Sequence, residues 1–138
     1  MAAKIKRVDY FYATIDDRPG QWARILAEFK KAKVNLLAVT AFPTLTGKTQ
    51  IDFFPKDTEK FKAAAGTAGL ILTGPKSGFL VQGEDRAGAL VDIHRQLADA
   101  GINVTAANGS TAGSGRFGYV FWVKPENFER AAQILGAK

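Results

Sequence analysis

A five-residue segment occurs twice in this chain and constrains its fold more than any other feature. Asp16-Asp17-Arg18-Pro19-Gly20 is matched 68 positions later by Glu84-Asp85-Arg86-Ala87-Gly88. The same offset relates Val34-Asn35 to Ile102-Asn103. A register kept over about twenty residues indicates a duplicated unit, and the offset is longer than the periods of solenoids and propellers. The sequence therefore predicts a duplicated domain.

Each copy of the segment lies between a predicted strand and a predicted helix. In the first copy, residues 8–15 are rich in β-forming side chains, and apolar residues recur at helical spacing through residues 21–31. In the second copy the corresponding strand and helix are residues 79–82 and 89–100. Both segments are thus predicted to form the corner between a strand and the start of a helix.

The remaining pattern predicts an α+β protein of two ferredoxin-like units, each with an antiparallel sheet and helices on one face. The domains are residues 1–76 (β-α-β-β-α-β) and 77–138 (β-α-β-β-α, lacking the last strand). Further strands are predicted at residues 34–42, 49–54, 70–73, 103–107 and 117–123, further helices at 58–68 and 126–135, a domain boundary at 74–78 and a loop at 108–115.

The missing last strand leaves a predicted sheet edge without a neighbour. In this topology the last strand lies beside the first, so residues 79–82 would expose unpaired backbone groups. We expect this edge to pair with a strand from the other unit or from a second chain.

Composition and charge exclude several classes of protein. The chain has no cysteine, no run long enough to span a membrane and no signal peptide, so a cytoplasmic protein is expected. Its net charge is +6, with 13 Lys plus Arg against 7 Asp plus Glu in residues 1–76 and 6 against 6 in residues 77–138. Because the charges of the first part are scattered, they favour a solvated surface over an anionic partner.

The two corners resemble those of the ACT domain, a small amino-acid-sensing module of metabolic enzymes. The resemblance is carried by Asp17-Arg18-Pro19-Gly20 with Val34-Asn35, and by Asp85-Arg86-Ala87-Gly88 with Gly101-Ile102-Asn103. It covers nearly the whole chain as two tandem copies.

The resemblance implies a non-catalytic regulatory protein, without a cofactor, that binds an amino acid or similar small zwitterion and forms a homodimer or larger assembly through sheet or strand-edge pairing. In such families the ligand lies between the corner of one unit and the second-strand region of a neighbour. Free amides at a helix start suit a carboxylate, and an aspartate accepts from an ammonium group. The candidate ligand-binding residues are Asp17, Arg18, Pro19, Gly20, Gln21, Trp22, Asn35, Asp85, Arg86, Ala87, Gly88, Ala89, Leu90 and Asn103.

The two copies also differ from each other. Lys33 stands where the second copy has Gly101, so the first helix is expected to end differently. Ala87 replaces the proline of the first corner, so the two sites are expected to differ in rigidity. Trp22 either borders a ligand pocket or, as we favour, belongs to the core.

An alternative function is RNA binding. Residues 116–122 resemble the RNP1 stretch of an RNA-recognition motif, with Phe117, Tyr119 and Phe121 on one face of a strand. Against it, Gly115 and Arg116 are in the wrong order, and residues 77–138 carry no net positive charge. The competing explanation is that this aromatic face packs on another sheet.

An enzyme is disfavoured by the sequence. His94 is the only histidine, and no nucleophile or carboxylate is placed beside it. No metal-ligating pattern occurs. Residues 109–115 are rich in glycine but lack the lysine and the strand-to-helix context of a phosphate-binding loop.

Overall fold

The computed structural model describes residues 3–138, which form an alternation of strands and helices. The elements are β1 (Lys4–Asp16), α1 (Gln21–Lys31), β2 (Leu36–Pro43), β3 (Lys48–Pro55), α2 (Thr58–Thr67), β4 (Thr73–Glu84), α3 (Val91–Asp99), β5 (Val104–Gly113), β6 (Arg116–Val123) and α4 (Phe128–Leu135), with a 3-10 turn (Pro125–Asn127) before α4.

The chain packs as two compact units. The first unit is Asp9–Lys76, and the second unit comprises residues 3–8 together with Ser77–Lys138. β1 and β4 therefore each contribute residues to both units. The units differ from the predicted domains at the amino terminus, because residues 3–8 pack with the second unit.

The first unit has the predicted ferredoxin-like order. Its strands follow the order β2-β3-β1-β4, and β3 pairs antiparallel with both β1 and β2. Alternate residues of β1 and β3 point to the face that α1 and α2 cover, so one apolar core forms on that side. This core contains Phe11, Ala13, Ile15, Ile25, Phe29, Ile51, Phe53, Phe61, Ala64 and Ala65.

The second unit repeats this arrangement. Its strands follow the order β1-β4-β6-β5, with β6 antiparallel to β4 and β5. Helices α3 and α4 supply the apolar side chains that meet the sheet. The core contains Phe79, Val81, Ile93, Leu97, Ile102, Phe117, Phe121, Val123, Ala131, Ala132 and Ala137. The α+β fold class predicted from the sequence is confirmed.

Residues 4–8 of β1 take the place of the missing last strand. Ile5 packs against the core of the second unit, and its carbonyl accepts a hydrogen bond from the Lys138 amide at 3.4 Å. Arg7 Nη1 lies 2.9 and 2.8 Å from the two carboxylate oxygens of Glu129. The sheet edge expected to need a partner is thus completed by the start of the same chain.

This packing also changes the distribution of charge. The first unit holds ten Lys plus Arg against seven Asp plus Glu, and the second unit holds nine against six. Each unit therefore has a net charge of +3. The asymmetry between residues 1–76 and 77–138 arises because Lys4, Lys6 and Arg7 belong to the second unit.

The first helix of each unit ends in the same way. This differs from the prediction that Lys33, in place of a glycine, would make α1 end differently. Lys33 takes the left-handed conformation with φ 59°, close to the 72° of Gly101. The Val34 amide donates to the Phe29 carbonyl at 2.9 Å, and the Ile102 amide donates to the Leu97 carbonyl at 2.9 Å. Both are the six-to-one bond of a Schellman motif, which imposes the left-handed residue whatever its side chain.

Replacing Lys33 with glycine is expected to stabilise the protein by about 0.5–1 kcal/mol. Glycine removes the steric cost of the left-handed conformation but adds chain entropy to the unfolded state, which offsets part of the gain. Urea denaturation measures the change. Lys30→Gly, at a position within α1, serves as the matched control and is expected to destabilise by about 0.5–1 kcal/mol. Equal destabilisation by both substitutions would contradict the explanation.

Two segments predicted to be loops are strand in the structure. The strands expected at residues 70–73 and 79–82 are replaced by the single strand β4 (Thr73–Glu84). The units do divide within the expected boundary at 74–78, between Lys76 and Ser77, but this boundary lies within β4. The loop expected at 108–115 is largely strand, because β5 continues to Gly113 and pairs with β6. β5 is exposed along most of this length, so neither of its faces has to be apolar there. The alternation of apolar and polar residues that marks a half-buried strand is therefore absent.

The aromatic face of β6 is part of the protein core. Phe117 is 9% exposed, Phe121 is fully buried, and Tyr119 packs against the same cluster as the α3 and α4 side chains. Phe117 and Phe121 are too buried to stack on bases, so the RNA-binding alternative, which uses both together with the half-buried Tyr119, is wrong. The face packs on helices rather than on another sheet.

Candidate functional site

The corner of the second unit is built by backbone hydrogen bonds. The Asp85 amide donates to the Gly115 carbonyl at 2.8 Å, which fixes the end of β4 to the β5–β6 hairpin. The Ala89 amide donates to the Arg86 carbonyl at 3.2 Å, and the Val91 amide donates to the Gly88 carbonyl at 3.1 Å. Gly88 has φ 76°, a conformation that favours glycine. Because these turns occupy the residues before it, α3 begins at Val91 and not at residue 89 as predicted.

A pocket of about 500 Å³ opens at this corner. Its size lies in the range of small-molecule sites. It is bordered by the corner and by strands β5 and β6 of the same unit. The lining residues are Asp85, Arg86, Gly88, Ala89, Leu90, Val91, Gly109, Ser110, Thr111, Phe117, Gly118 and Tyr119.

The pocket presents charges and backbone donors that the protein leaves unpaired. Within residues 3–138, Asp85 and Arg86 form no side-chain hydrogen bond or ion pair, and no acceptor contacts the amides of Gly88 and Leu90. A carboxylate, a guanidinium and two amide donors therefore line one site. This set suits a ligand with both an anionic and a cationic group.

The corner of the first unit has its charges paired internally. Lys48 Nζ contacts Asp16 Oδ1, and Arg18 Nη2 lies 3.8 Å from Asp16 Oδ2. The hydrogen bond from Lys48 is the main cause that holds the pKa of Asp16 below its ordinary value, with the charges of Lys48 and Arg18 adding to it. Asp17, Pro19 and Gly20 are exposed.

The remaining predicted residues of the first corner are engaged by their own unit. The Gln21 amide lies 3.5 Å from the Arg18 carbonyl, and its side-chain oxygen accepts from Arg24 at 3.4 Å. Trp22 is half-buried and packs against the core of the first unit. It is a core residue, as favoured from the sequence.

Asn35 and Asn103, which were predicted to bind the ligand, each lie far from the corner of their own unit. Asn35 precedes Leu36, which pairs with Pro55, whereas the corner follows Asp16, which pairs with Lys48. The length of β3 separates them by about 24 Å. In the second unit Asn103 precedes Val104, at the far end of β6 from the corner, in the same way. Ala87 is exposed and does not line the pocket.

The sequence did not point to the strand residues of the pocket. Gly109, Ser110 and Thr111 come from the part of β5 that was expected to be a loop, and Tyr119 was named only in the RNA-binding alternative. The pairing of β5 with β6 would have identified these residues, because it places Gly109 opposite Tyr119. That pairing could not be predicted, because the small polar residues of β5 do not look like a strand.

Tyr119 is held by the histidine of α3. His94 Nε2 lies 2.8 Å from the Tyr119 hydroxyl, and the two rings meet edge to face at 5.8 Å. Burial raises the pKa of Tyr119 above its ordinary value, so its hydroxyl stays neutral at physiological pH.

A second buried polar group lies in the first unit, away from the pocket. Asp52 is fully buried, and its carboxylate oxygens accept from Thr40 Oγ1 at 2.9 Å and from Gln50 Nε2 at 3.2 Å. Burial raises the pKa of Asp52, while these hydrogen bonds and the charge of Lys76 act in the opposite direction. Both oxygens have partners, so this cluster is explained by the fold.

Over residues 3–138, no three His, Cys, Asp or Glu side chains are grouped so as to hold a metal ion. The same residues contain no helix that is both long and apolar enough to cross a membrane.

A protein-family model matches the part of the chain that contains the pocket. Residues 79–137, which lie in the second unit and include all the pocket residues, match the model of the ACT domain. No curated protein sequence matches the chain significantly.

Solved structures share the fold over nearly the whole chain. A protein from Bacteroides thetaiotaomicron aligns with a TM-score of 0.80 and 13% identity, over 97% of this chain and 88% of that one. The ligand-free regulatory subunit of aspartate kinase from Thermus thermophilus aligns with a TM-score of 0.66 and 13% identity, over 99% and 95%. Aspartokinase III of E. coli, in complex with aspartate and ADP, aligns with a TM-score of 0.56 and 12% identity, over 97% of this chain and 32% of that one.

Proposed function

We propose that this chain is a regulatory protein of two tandem ACT-like domains that binds a free amino acid or similar small zwitterion and has no catalytic activity of its own. The ACT match of residues 79–137 supports the small-molecule-binding role. The likeness of both units to a regulatory subunit of aspartate kinase supports the tandem arrangement. The ligand lies in the pocket at the corner of the second unit.

The observation that carries this proposal is the unpaired charge set in a pocket of about 500 Å³. The Arg86 guanidinium and the amides of Gly88 and Leu90 can donate to an α-carboxylate, and the Asp85 carboxylate can accept from an α-ammonium group. Each charge-assisted hydrogen bond contributes about 1.5–3 kcal/mol. A few of them give roughly micromolar affinity for so small a ligand.

The corner of the first unit is not assigned the same role. Arg18, the counterpart of Arg86, lies 3.8 Å from Asp16, which also contacts Lys48, so the carboxylate of a zwitterion would have to compete with Asp16 for Arg18. We therefore place the principal ligand at the second corner.

Homo-oligomerisation through strand edges is part of the same proposal. β2 ends the strand order of the first unit and carries the exposed side chains of Leu37, Val39 and Phe42. An exposed apolar edge strand favours pairing with another chain. Ligand binding shifts the equilibrium between the unpaired and the strand-paired chain if the ligand binds one of these two forms more tightly than the other.

Reversing the charge of Arg86 tests the proposed ligand. The twenty amino acids are screened by thermal shift, and those that raise the melting temperature are titrated by calorimetry. Arg86→Glu is expected to weaken binding at least 10-fold, because one charge-assisted hydrogen bond is replaced by repulsion of the carboxylate. Light scattering in the same titration reports whether the ligand changes the oligomeric state.

Arg95→Glu is the matched control. Arg95 is exposed on α3 and does not line the pocket, so the same charge reversal there is expected to leave the affinity unchanged. Equal loss in both variants would indicate a non-specific effect of net charge and contradict the site. Failure of all twenty amino acids to bind wild type would contradict the ligand class.

A further inference from the structure

We propose that Tyr119 is the specificity-determining residue of the pocket and that it selects a free amino acid with a large, mainly apolar side chain. The inference rests on the proposed function, because it names which zwitterions the pocket prefers. Three features of the pocket support it: the position of the Tyr119 ring, its distance from the charged corner and the character of the surrounding wall.

The Tyr119 ring lies across the neighbouring strand, over Gly109. The two residues are directly paired between β5 and β6. A Cβ atom at Gly109 would lie 2.7 Å from Cδ1 of Tyr119 and 3.6 Å from its Cε1. Contacts as short as 2.7 Å are not tolerated between a side-chain carbon and a ring carbon, so the ring occupies this place because residue 109 has no side chain.

The hydroxyl of Tyr119 is already bound by the protein. His94 Nε2 lies 2.8 Å away, and the ring centroid of Phe121 lies 5.8 Å from that of Tyr119. These contacts hold the ring in one orientation. Because the hydroxyl has its partner, the surface that Tyr119 offers a ligand is mainly its aromatic ring.

The Tyr119 ring lies beyond the reach of a small side chain held at the corner. Glu84, the last residue before Asp85, pairs with Arg116, and Tyr119 lies three residues further along β6. At strand spacing the backbone separation is about 10 Å. An alanine or serine held by Asp85 and Arg86 leaves this space empty, whereas a leucine or phenylalanine side chain extends into it toward the ring.

The wall between the corner and Tyr119 is largely apolar. Leu90 and Val91 border the pocket from the start of α3, and Phe117 borders it from β6. Ser110 and Thr111 of β5 also border this part of the pocket and offer hydroxyl groups but no charge. A ligand with a charged side chain would therefore lose water against this wall without gaining an ion-pair partner, and such desolvation is costly. A leucine or aromatic side chain instead removes apolar surface from water.

Calorimetric titration of the full chain with six L-amino acids tests the inference. The probes are alanine, serine, leucine, phenylalanine, lysine and aspartate. Wild type is expected to bind leucine or phenylalanine at least 10-fold more tightly than the other four, since one methylene alone changes affinity by about 10-fold or more in a fitted apolar pocket. The readout is the ratio of the Kd for alanine to the Kd for the preferred ligand, which a general loss of stability does not change.

Two variants connect the size preference to Tyr119 and to the apolar wall. Gly109→Ala is expected to displace the Tyr119 ring and to reduce the ratio at least 5-fold. Val91→Asp is expected to reduce it similarly, and because Val91 is 48% exposed this substitution leaves the fold intact even if Gly109→Ala does not fold. Gly66→Ala is the matched control, because a Cβ at Gly66 meets no atom within 4 Å and Gly66 lies in the first unit.

The outcomes separate this inference from the proposed function. Binding of all six probes with similar affinity leaves the amino-acid site standing and overturns the size selection. A size preference unchanged in Gly109→Ala overturns the role of Tyr119, and one unchanged in Val91→Asp overturns the role of the apolar wall. If none of the six binds, the proposed function fails and this inference fails with it.

Discussion

Replacing Phe61 with alanine is expected to lower the free energy of unfolding by about 3–5 kcal/mol, as for other buried phenylalanines. Phe61 is fully buried between α2 and the sheet of the first unit. Its ring centroid lies 5.4 Å from that of Phe11, 5.4 Å from that of Phe29 and 5.3 Å from that of Phe53. Truncation removes these aromatic contacts and leaves a cavity that rigid neighbours cannot fill.

Urea denaturation followed by circular dichroism measures this loss. Leu45→Ala is the control, because Leu45 is fully exposed in the loop before β3 and its truncation is expected to change stability by less than about 0.5 kcal/mol. A loss below about 1 kcal/mol for Phe61→Ala would show that Phe61 is not central to the core.

Removing residues 1–8 is expected to unfold the second unit. The deletion takes away the apolar contact of Ile5, about 2 kcal/mol for a partly buried isoleucine. It also removes hydrogen bonds along β4, about 1 kcal/mol each, and the contacts of Arg7 with Glu129 and the Phe128 ring. A unit of about 70 residues has only a few kcal/mol of stability to lose.

Amide hydrogen exchange tests this prediction residue by residue. Amides of β5, β6, α3 and α4 are expected to lose protection in the deletion variant, whereas those of α1, β2 and β3 keep it. The double substitution Lys4→Gln and Lys6→Gln is the control, because it removes two exposed charges and keeps the strand. A second unit with unchanged protection after the deletion would show that residues 4–8 are dispensable.

The sequence predicted the elements that have strong internal periodicity. The spacing of Trp22, Ile25 and Phe29 predicted α1 with the bounds that the structure has. The helix predicted at residues 58–68 follows Asp57, a residue type favoured at helix starts, and the Asp57 side chain accepts from the Lys60 amide at 3.1 Å. Such signals are local, so a single sequence is enough to read them.

The elements that the sequence missed depend on contacts distant in the chain. The start of β1, with Lys4, Ile5 and Lys6, lay outside the predicted strand of residues 8–15, because Ile5 is its only apolar side chain before Val8. Its strand conformation is supported by residues near the end of the chain, where the Lys138 amide bonds to the Ile5 carbonyl. No local pattern encodes a partner more than a hundred residues away.

The candidate site was likewise predicted in part. The duplicated segment indicated Asp85, Arg86, Gly88, Ala89 and Leu90, and these residues line a pocket. The opposite wall could not be found, because it depends on the register of β5 against β6 and on the ring of Tyr119 over Gly109. The ligand-binding role of these residues stays a prediction.

The shared strand β1 has a consequence for biosynthesis. Residues 4–8 are synthesised before Glu129 and Lys138, which contact Arg7 and Ile5. Asp9–Lys76 contains all the residues of the first unit and is synthesised before most of the second unit. The start of β1 can pair with β4 once that strand has been made, but its contacts with Glu129 and Lys138 form only later. Until then, the positive charges of Lys4 and Lys6 disfavour pairing of this edge with another nascent chain.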